Sequence, residues 1–489
     1  MRVARSSRAH AGCVPGCLVR LMAVLLLIGL AALVVFTVRL VRDDRLTPDI
    51  SGGPSSAVTL PKRRALGQAS VVPPNEEHPG GLLVFTVAEG NTSAALSYLE
   101  GDPLAAQWES GDLSLADESA PVSPALAGDV AYLAEGARLI ALEMADGERR
   151  WSTDLSAPVS PGCADCIQPL EGAVAVLSED QTLTVLSAED GDPLWQAALN
   201  TLPREVTVIG GDPAVIDTLP DAESSALLIF DAASGEVRTR IEPRCQPDPD
   251  GAAETLTPGS SMLYDPASGA LYFLFGFMQH GCAQRWDSAS GEIVWSASFP
   301  LETSGWPRAW MTAAPLLSEG AITFAGADGA AVLALSAADG ALHTLVRRDT
   351  YTLRPWTQAG GTLLVRAERL DGLGQEELWG VSLAEGTRLW RYPITRDNSS
   401  WTAHRAPGGF VVIELAPDPP RLRVTLLDAE SGAHRHERAQ PIDSATWTGT
   451  AWAADRAWLT LGALYEVDLT TGIPALVWPA PEPEDTPDG

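Results

Sequence analysis

The sequence predicts an all-β propeller of four-stranded blades preceded by one transmembrane helix. Three observations carry that expectation: a turn motif that returns about every 46 residues, apolar runs of strand length between the turns, and an uncharged apolar segment near the N-terminus. The motif is clearest as ALEMADGERRW at 141–151, VLSAEDGDPLW at 185–195, RWDSASGEIVW at 285–295 and SLAEGTRLW at 382–390. In these copies Trp151, Trp195, Trp295 and Trp390 each stand four residues past a turn glycine: Gly147, Gly191, Gly291 and Gly386. Weaker copies turn at Gly101, Gly235, Gly340, Gly432 and Gly472.

Asp-Gly, Ser-Gly and Glu-Gly between apolar runs are hairpin turns, because glycine accepts positive φ and the preceding side chain bonds the local backbone. Further strand-length runs stand upstream of most copies, such as VAYLAEG at 130–136, LYFLFGF at 271–277 and FVVIEL at 410–415. Together they supply three or four strands per repeat, and the period fits a blade of roughly 40–50 residues. No stretch of helical period lies between the runs, which disfavours TIM barrels and helical solenoids and leaves the propeller.

Along the chain, residues 1–20 are expected to be a short cytoplasmic segment and 21–38 (LMAVLLLIGLAALVVFTV) a membrane-spanning helix, since 18 uncharged apolar residues approach the minimum for crossing a bilayer. Arg39, Arg42, Asp43, Asp44 and Arg45 follow at once instead of a small-residue cleavage site, so the span reads as an uncleaved signal anchor. With about twenty residues before it and the whole acidic body after it, the expected location is the cell membrane, single-pass, with the propeller extracytoplasmic. Residues 39–80, rich in Pro, Gly and Ser, read as a linker, 81–478 as the propeller and 479–489 as a disordered acidic tail.

The net charge of −30 argues against a polyanion-binding surface, so no nucleic acid is expected and a cationic protein partner suits the body better. Lys62 is the single lysine, in the linker, which excludes a Schiff-base lysine or a Walker-type phosphate loop from the propeller. The thirty-two arginines beside it point to a GC-rich, hence bacterial, genome.

Cys163, Cys166, Cys245 and Cys282 are an even number of cysteines in a compartment where thiols oxidise, and two structural disulfides are expected. The sequence-local pairing is Cys163 with Cys166 and Cys245 with Cys282, one of three possible connectivities; C-A-D-C also admits a redox pair or half a metal site. Cys13 and Cys17 precede the apolar span and read as cytoplasmic thiols or membrane-proximal acylation sites.

The hairpin with Ala141, Leu142 and Glu143 before Gly147 and Trp151 after it resembles the pyrroloquinoline-quinone-like propeller repeat, and the resemblance covers about 81–478. That family includes quinoprotein dehydrogenases, the propeller lipoprotein of the outer-membrane assembly machinery and other membrane-tethered extracytoplasmic proteins. The resemblance implies that Trp151, Trp195, Trp295 and Trp390 dock one blade on the next. Its members are commonly eight-bladed, and eight blades are expected here with seven or nine as alternatives, because the unit near 81–108 shows no innermost strand and the step before Gly291 contains the 245–282 cysteine loop.

The family's enzymes carry two adjacent cysteines beside the quinone, a calcium ion and a catalytic Asp; this chain has no adjacent cysteine pair. His434 and His436 could share a strand face as a metal pair, although His436 occupies the slot of the motif Trp; Asp248, Asp250 and Glu254 read as a solvated acidic loop or a partial calcium site. No catalytic residue, metal or cofactor is assigned. The expected function is a non-enzymatic, membrane-anchored scaffold that binds protein partners at the cell envelope. The alternatives are a quinone- or other cofactor-dependent oxidoreductase, with Cys163 and Cys166 as its redox element, and a small-ligand sensor using the propeller channel.

Overall fold

The computed structural model describes residues 63–478 apart from 75–79, 89–93, 102–103, 111–112, 114–121, 160–164, 204, 220–223, 246–253, 257–259, 276–279, 301–313, 319, 327–328, 372–374, 395–399 and 443–446. The chain divides into two compact units, Met1–Leu60 and Pro61–Gly489, and the first lies outside the described residues. So do the expected span at 21–38 and the expected tail at 479–489; among the described residues no helix is long and apolar enough to cross a membrane.

The second unit is a propeller of nine four-stranded antiparallel blades, at 63–109, 125–154, 167–198, 207–241, 261–300, 316–347, 351–393, 400–441 and 449–478. Each expected turn glycine joins the third and fourth strands of one blade, so the nine turns count the blades, and the expectation of eight gives way to nine. The innermost strand of the first blade is Arg63–Val72 (RRALGQASVV), inside the stretch expected to be linker. Its arginines and glycine interrupt the apolar alternation, and its pairing with the next strand slips between Leu66 and Ser70. A two-stranded ribbon, Arg244–Cys245 with Glu254–Thr255, occupies the long connection between blades 4 and 5.

The middle two strands of each blade are the most deeply buried, because both of their faces pack on neighbouring blades: 130–134 (VAYLA) and 173–177 (AVAVL) are buried throughout. Their composition is accordingly continuous Val, Leu, Ala and aromatic instead of alternating. The fourth strands form the outer edges and carry the charges, as in 434–441 (HRHERAQP), which keeps unpaired edges from recruiting other chains.

Every blade uses four consecutive strands, so the ring closes by packing and not by a shared strand. Ala65, Ala69, Leu82 and Val84 of blade 1 pack on Ala451, Trp458 and Leu464 of blade 9, and the Ala65 N–H donates to Gly462 O at 2.9 Å.

The up-and-down order sorts connections onto two faces. Hairpins between strands one and two and between strands three and four make a turn face; hairpins between strands two and three, together with the blade-to-blade connections, make a loop face. The described chain enters at Arg63 and leaves at Trp478, both on the loop face, since they pair opposite Ala88 and Leu464 at that end of their blades.

Candidate functional site

The motif tryptophans lie on fourth strands and reach forward to the next blade. Trp151 donates its indole N–H to Ala188 O of blade 3 at 3.0 Å, Trp195 to Ala232 O of blade 4 at 2.8 Å, Trp295 to Ala337 O of blade 6 at 3.1 Å and Trp390 to Ala429 O of blade 8 at 2.8 Å. Each acceptor belongs to the turn ahead of the next blade's own glycine. The Gly-to-Trp spacing of four misses Trp108, which stands seven past Gly101 yet donates to Met144 O of blade 2 at 2.7 Å.

The turn glycines complete these junctions. All four expected ones have positive φ, between 64° and 76°. A Cβ on Gly191 would sit 2.5 Å from Trp151, and one on Gly235 2.6 Å from Trp195, so each glycine is also the surface on which the preceding blade's indole lies. Gly291 and Gly386 receive no indole, because Thr239 and Thr344 occupy the tryptophan slot of blades 4 and 6. His436 fills that slot in blade 8, and its Cβ lies 3.6 Å from a Cβ placed on Gly472.

The turns themselves carry a recurrent carboxylate. Asp231, Asp287 and Asp428 each accept the backbone N–H of the serine three residues on and then its neighbour's N–H, and Asp231 and Asp428 also accept that serine's hydroxyl. The Ser234, Ser290 and Ser431 backbone donors hold these carboxyls below the usual range, with the serine hydroxyls adding to the effect; at Asp265 the Ser268 hydroxyl is the largest cause. A depressed native pKa means stability that is present above the unfolded aspartate value near 4 and lost as pH falls through the native one. A thermal midpoint followed from pH 7 to 2 is expected to fall only below about pH 4. A midpoint that rises throughout acidification would show that relief of the −30 net charge outweighs these turns.

On the loop face, Cys245 in the ribbon is joined to Cys282 on the third strand of blade 5, with their Cα atoms 6.4 Å apart. Cys166 is also disulfide-bonded, and its expected partner Cys163 lies outside the described residues. Asp248 and Asp250 lie outside them too, as does the side chain of Glu254. His434 pairs with Glu437 at 3.2 Å and lies 5.6 Å from the Tyr392 ring, so the two histidines are separately engaged, and no group of three His, Cys, Asp or Glu able to hold a metal occurs among the described residues. The described disulfide spans 37 residues and is not a pair of neighbours, so these residues do not fit the quinone and calcium arrangement, and no step is derived through either.

The turn face holds a cavity of about 870 Å³ where the inner hairpins of blades 7, 8 and 9 meet the outer turn of blade 8. That size lies within the range of small-molecule sites, roughly 300–1,000 Å³. Small residues form much of its wall, among them Ala359, Ala406 and Ala453, and two rings stand at its inner edge: His404 of blade 8 and Trp452 of blade 9 stack at 4.3 Å and 14°. The sequence reading misses this pair, because the two residues stand on different blades and neither belongs to the turn motif. Nearer the loop face a second aromatic group bridges blades 7 and 8. Trp356 and Trp401 lie 5.1 Å apart, Arg366 stands over Trp401 at 5.3 Å, and Glu376 accepts from both Arg366 and the Trp401 indole. Its groups bond one another, which makes it a strut between blades.

Comparison with known proteins places these features in a family. Residues 80–248 and 279–448 match the family model described as Outer membrane protein assembly factor BamB. Among solved structures, the chain is similar to BamB from Moraxella catarrhalis at 12% identity, covering 81% of this chain and 95% of that one with a TM-score of 0.40. It is also similar to the quinohemoprotein alcohol dehydrogenase ADHIIG from Pseudomonas putida HK5, at 15% identity over 73% of this chain and 71% of that one with a TM-score of 0.43. The quinohemoprotein alcohol dehydrogenase from Comamonas testosteroni matches at 14% identity over 70% of each chain with a TM-score of 0.42. No match is found among curated proteins. The family model takes in most of the blades, including the four motif hairpins and their tryptophans, and the chain belongs to the family of PQQ-like repeat propellers described as Outer membrane protein assembly factor BamB.

Proposed function

We propose that this protein is a membrane-anchored extracytoplasmic scaffold that holds protein partners at the cell envelope. The observation that carries this reading is the family match, whose description is that of an assembly factor and whose two segments take in most of the propeller. The apolar segment 21–38 supplies an anchor, and residue 63, where the described chain begins, opens on the loop face, so a tether from the anchor would join the ring there. Loops carried by a rigid frame are where recognition usually resides, and the propeller is such a frame. The acidic excess favours a partner surface of opposite sign.

Native mass spectrometry of the full-length protein extracted in mild detergent, with an absorbance spectrum of the same sample, tests the reading. The expected result is a colourless species at the sequence mass less four hydrogens, for two disulfides, carrying protein partners in fixed stoichiometry. A stoichiometric small-molecule mass with visible absorption would overturn it in favour of a cofactor-dependent oxidoreductase.

A further inference from the structure

The turn-face cavity differs from the rest of the ring in ways that point to a ligand. In blades 2, 3, 5, 6, 7 and 9 a backbone N–H of the outer turn donates to a carbonyl of the inner hairpin at 2.8–3.1 Å. In blade 8 the corresponding bond, Ala429 N–H to Gly408 O, is 3.4 Å, so the two hairpins are spread where the cavity lies. Arg435 crosses from the outer edge and donates to Pro407 O, which ties one side of the spread hairpin.

Two side-chain donors of residues lining this space have no partner among the described residues. Eleven other tryptophans among the described residues donate their indole N–H to a carbonyl, carboxylate or hydroxyl group or to a glutamine side chain. Among the described residues Trp452 makes a ring contact and no hydrogen bond, although a half-buried indole N–H usually finds an acceptor. Arg405, at the same rim, has no carboxylate partner among the described residues, whereas eleven other arginines are ion-paired there. His404 uses Nδ1 on Arg405 O at 3.1 Å, and its ring lies flat on Trp452. The cavity's acids are differently placed: Asp428 is bonded to its own turn through Ser431, and Glu430 stands on the outer turn, across blade 8 from the rings.

We infer that this cavity binds a carboxylate carried beside a flat apolar ring, with Arg405 taking the carboxylate, the Trp452 indole N–H a second oxygen, and the Ala- and Gly-lined wall the ring. A guanidinium suits a carboxylate because its fork of donors matches the two oxygens, and small wall residues admit a planar group where larger ones would not. The site is independent of the scaffold reading. The carboxylate can come from a free small acid or from the C-terminus of a chain ending in an aromatic residue.

The test is calorimetric titration of the full-length protein in detergent with N-acetyl-tryptophan, with its amide, and with a short peptide ending in Trp, free or amidated. The expected result is saturable binding of one molecule per chain by a free-carboxylate form, at least about tenfold tighter than its amide. Arg405→Gln, at an exposed position, is expected to abolish that preference, and Trp452→Phe, which keeps the ring and removes the donor, to weaken binding about threefold or more. Binding of the free peptide without the free acid would assign the site to a chain terminus; binding of both would assign it to the small acid as well. Equal binding of acid and amide, a preference that survives Arg405→Gln, or no saturable binding below about 10 mM in any arm overturns the inference.

Discussion

Replacing Gly147 by Ala is expected to destabilise the propeller by about 2–5 kcal/mol, against about 1–2 kcal/mol for the same change at Gly291. Both glycines end the same kind of turn with nearly the same backbone, φ +72° and +68°. The cost of left-handed backbone for a residue with a Cβ is therefore common to the two. What differs is the neighbour. A Cβ on Gly147 would stand 2.4 and 2.7 Å from two ring atoms of Trp108, which is buried and bonded to Met144 O, so the indole must leave its seat between blades 1 and 2. At Gly291 the nearest atom is the Thr239 methyl at 3.6 Å, an ordinary contact. Denaturant midpoints of the two variants check the difference, and equal losses would show that the indole seat contributes nothing. Trp108→Ala alone is expected to lose about 3–5 kcal/mol. Adding Gly147→Ala to that variant should then cost only the backbone part, because the clash has gone; the coupling is the signature of the staple.

This pairing also shows how far the sequence was legible. The recurrent Gly and Trp of 141–151 and its relatives identify the blade, its turn and its period, because hairpin glycines and strand patterns are local. They do not show that Gly147 and Trp151 serve different junctions, Gly147 receiving Trp108 from behind and Trp151 reaching forward to Ala188. That relation crosses blades and has no sequence period of its own. The blade count failed for a similar reason: strand 63–72 is held by its place against blade 9 through Ala65 and Ala69, and its Arg, Gly and Gln conceal it in a stretch that reads as linker. The cavity was least legible. His404 and Trp452 are 48 residues apart on successive blades, and only the packing of blade 8 on blade 9 brings one ring over the other. The buried Glu414 belongs to the same class: it accepts from the Tyr392 hydroxyl of blade 7 at 3.0 Å, and burial is the main cause that pushes that phenol upward.

Removing the Cys245–Cys282 bond as the Cys245→Ala/Cys282→Ala pair is expected to destabilise the protein by about 4 kcal/mol, the chain-entropy value for a loop of this length. Alanine is the appropriate replacement because Cys282 is fully buried and Cys245 nearly so, and a serine there would bury a hydroxyl without a partner. The bond lies at a junction that no indole closes. Blade 4 carries Thr239 in the tryptophan slot, so the junction with blade 5 lacks an indole staple, and the connection across it is the one that contains the ribbon. It is also attached by the Gln284 amide donating to Arg244 O at 2.7 Å, by the Ser225 N–H of blade 4 donating to Leu256 O at 2.9 Å, and by the apolar contact of Leu256 with the blade 4–5 core. With the disulfide gone, hydrogen exchange should rise first in residues 242–256 and in the third strand of blade 5, while the stapled junction of blades 2 and 3 keeps its protection. A uniform loss of protection around the ring would instead mean that the bond acts only on the unfolded chain, and an unchanged midpoint would mean that packing of Phe273 and Phe275 against Leu227 and Ile229 suffices to close the junction without it.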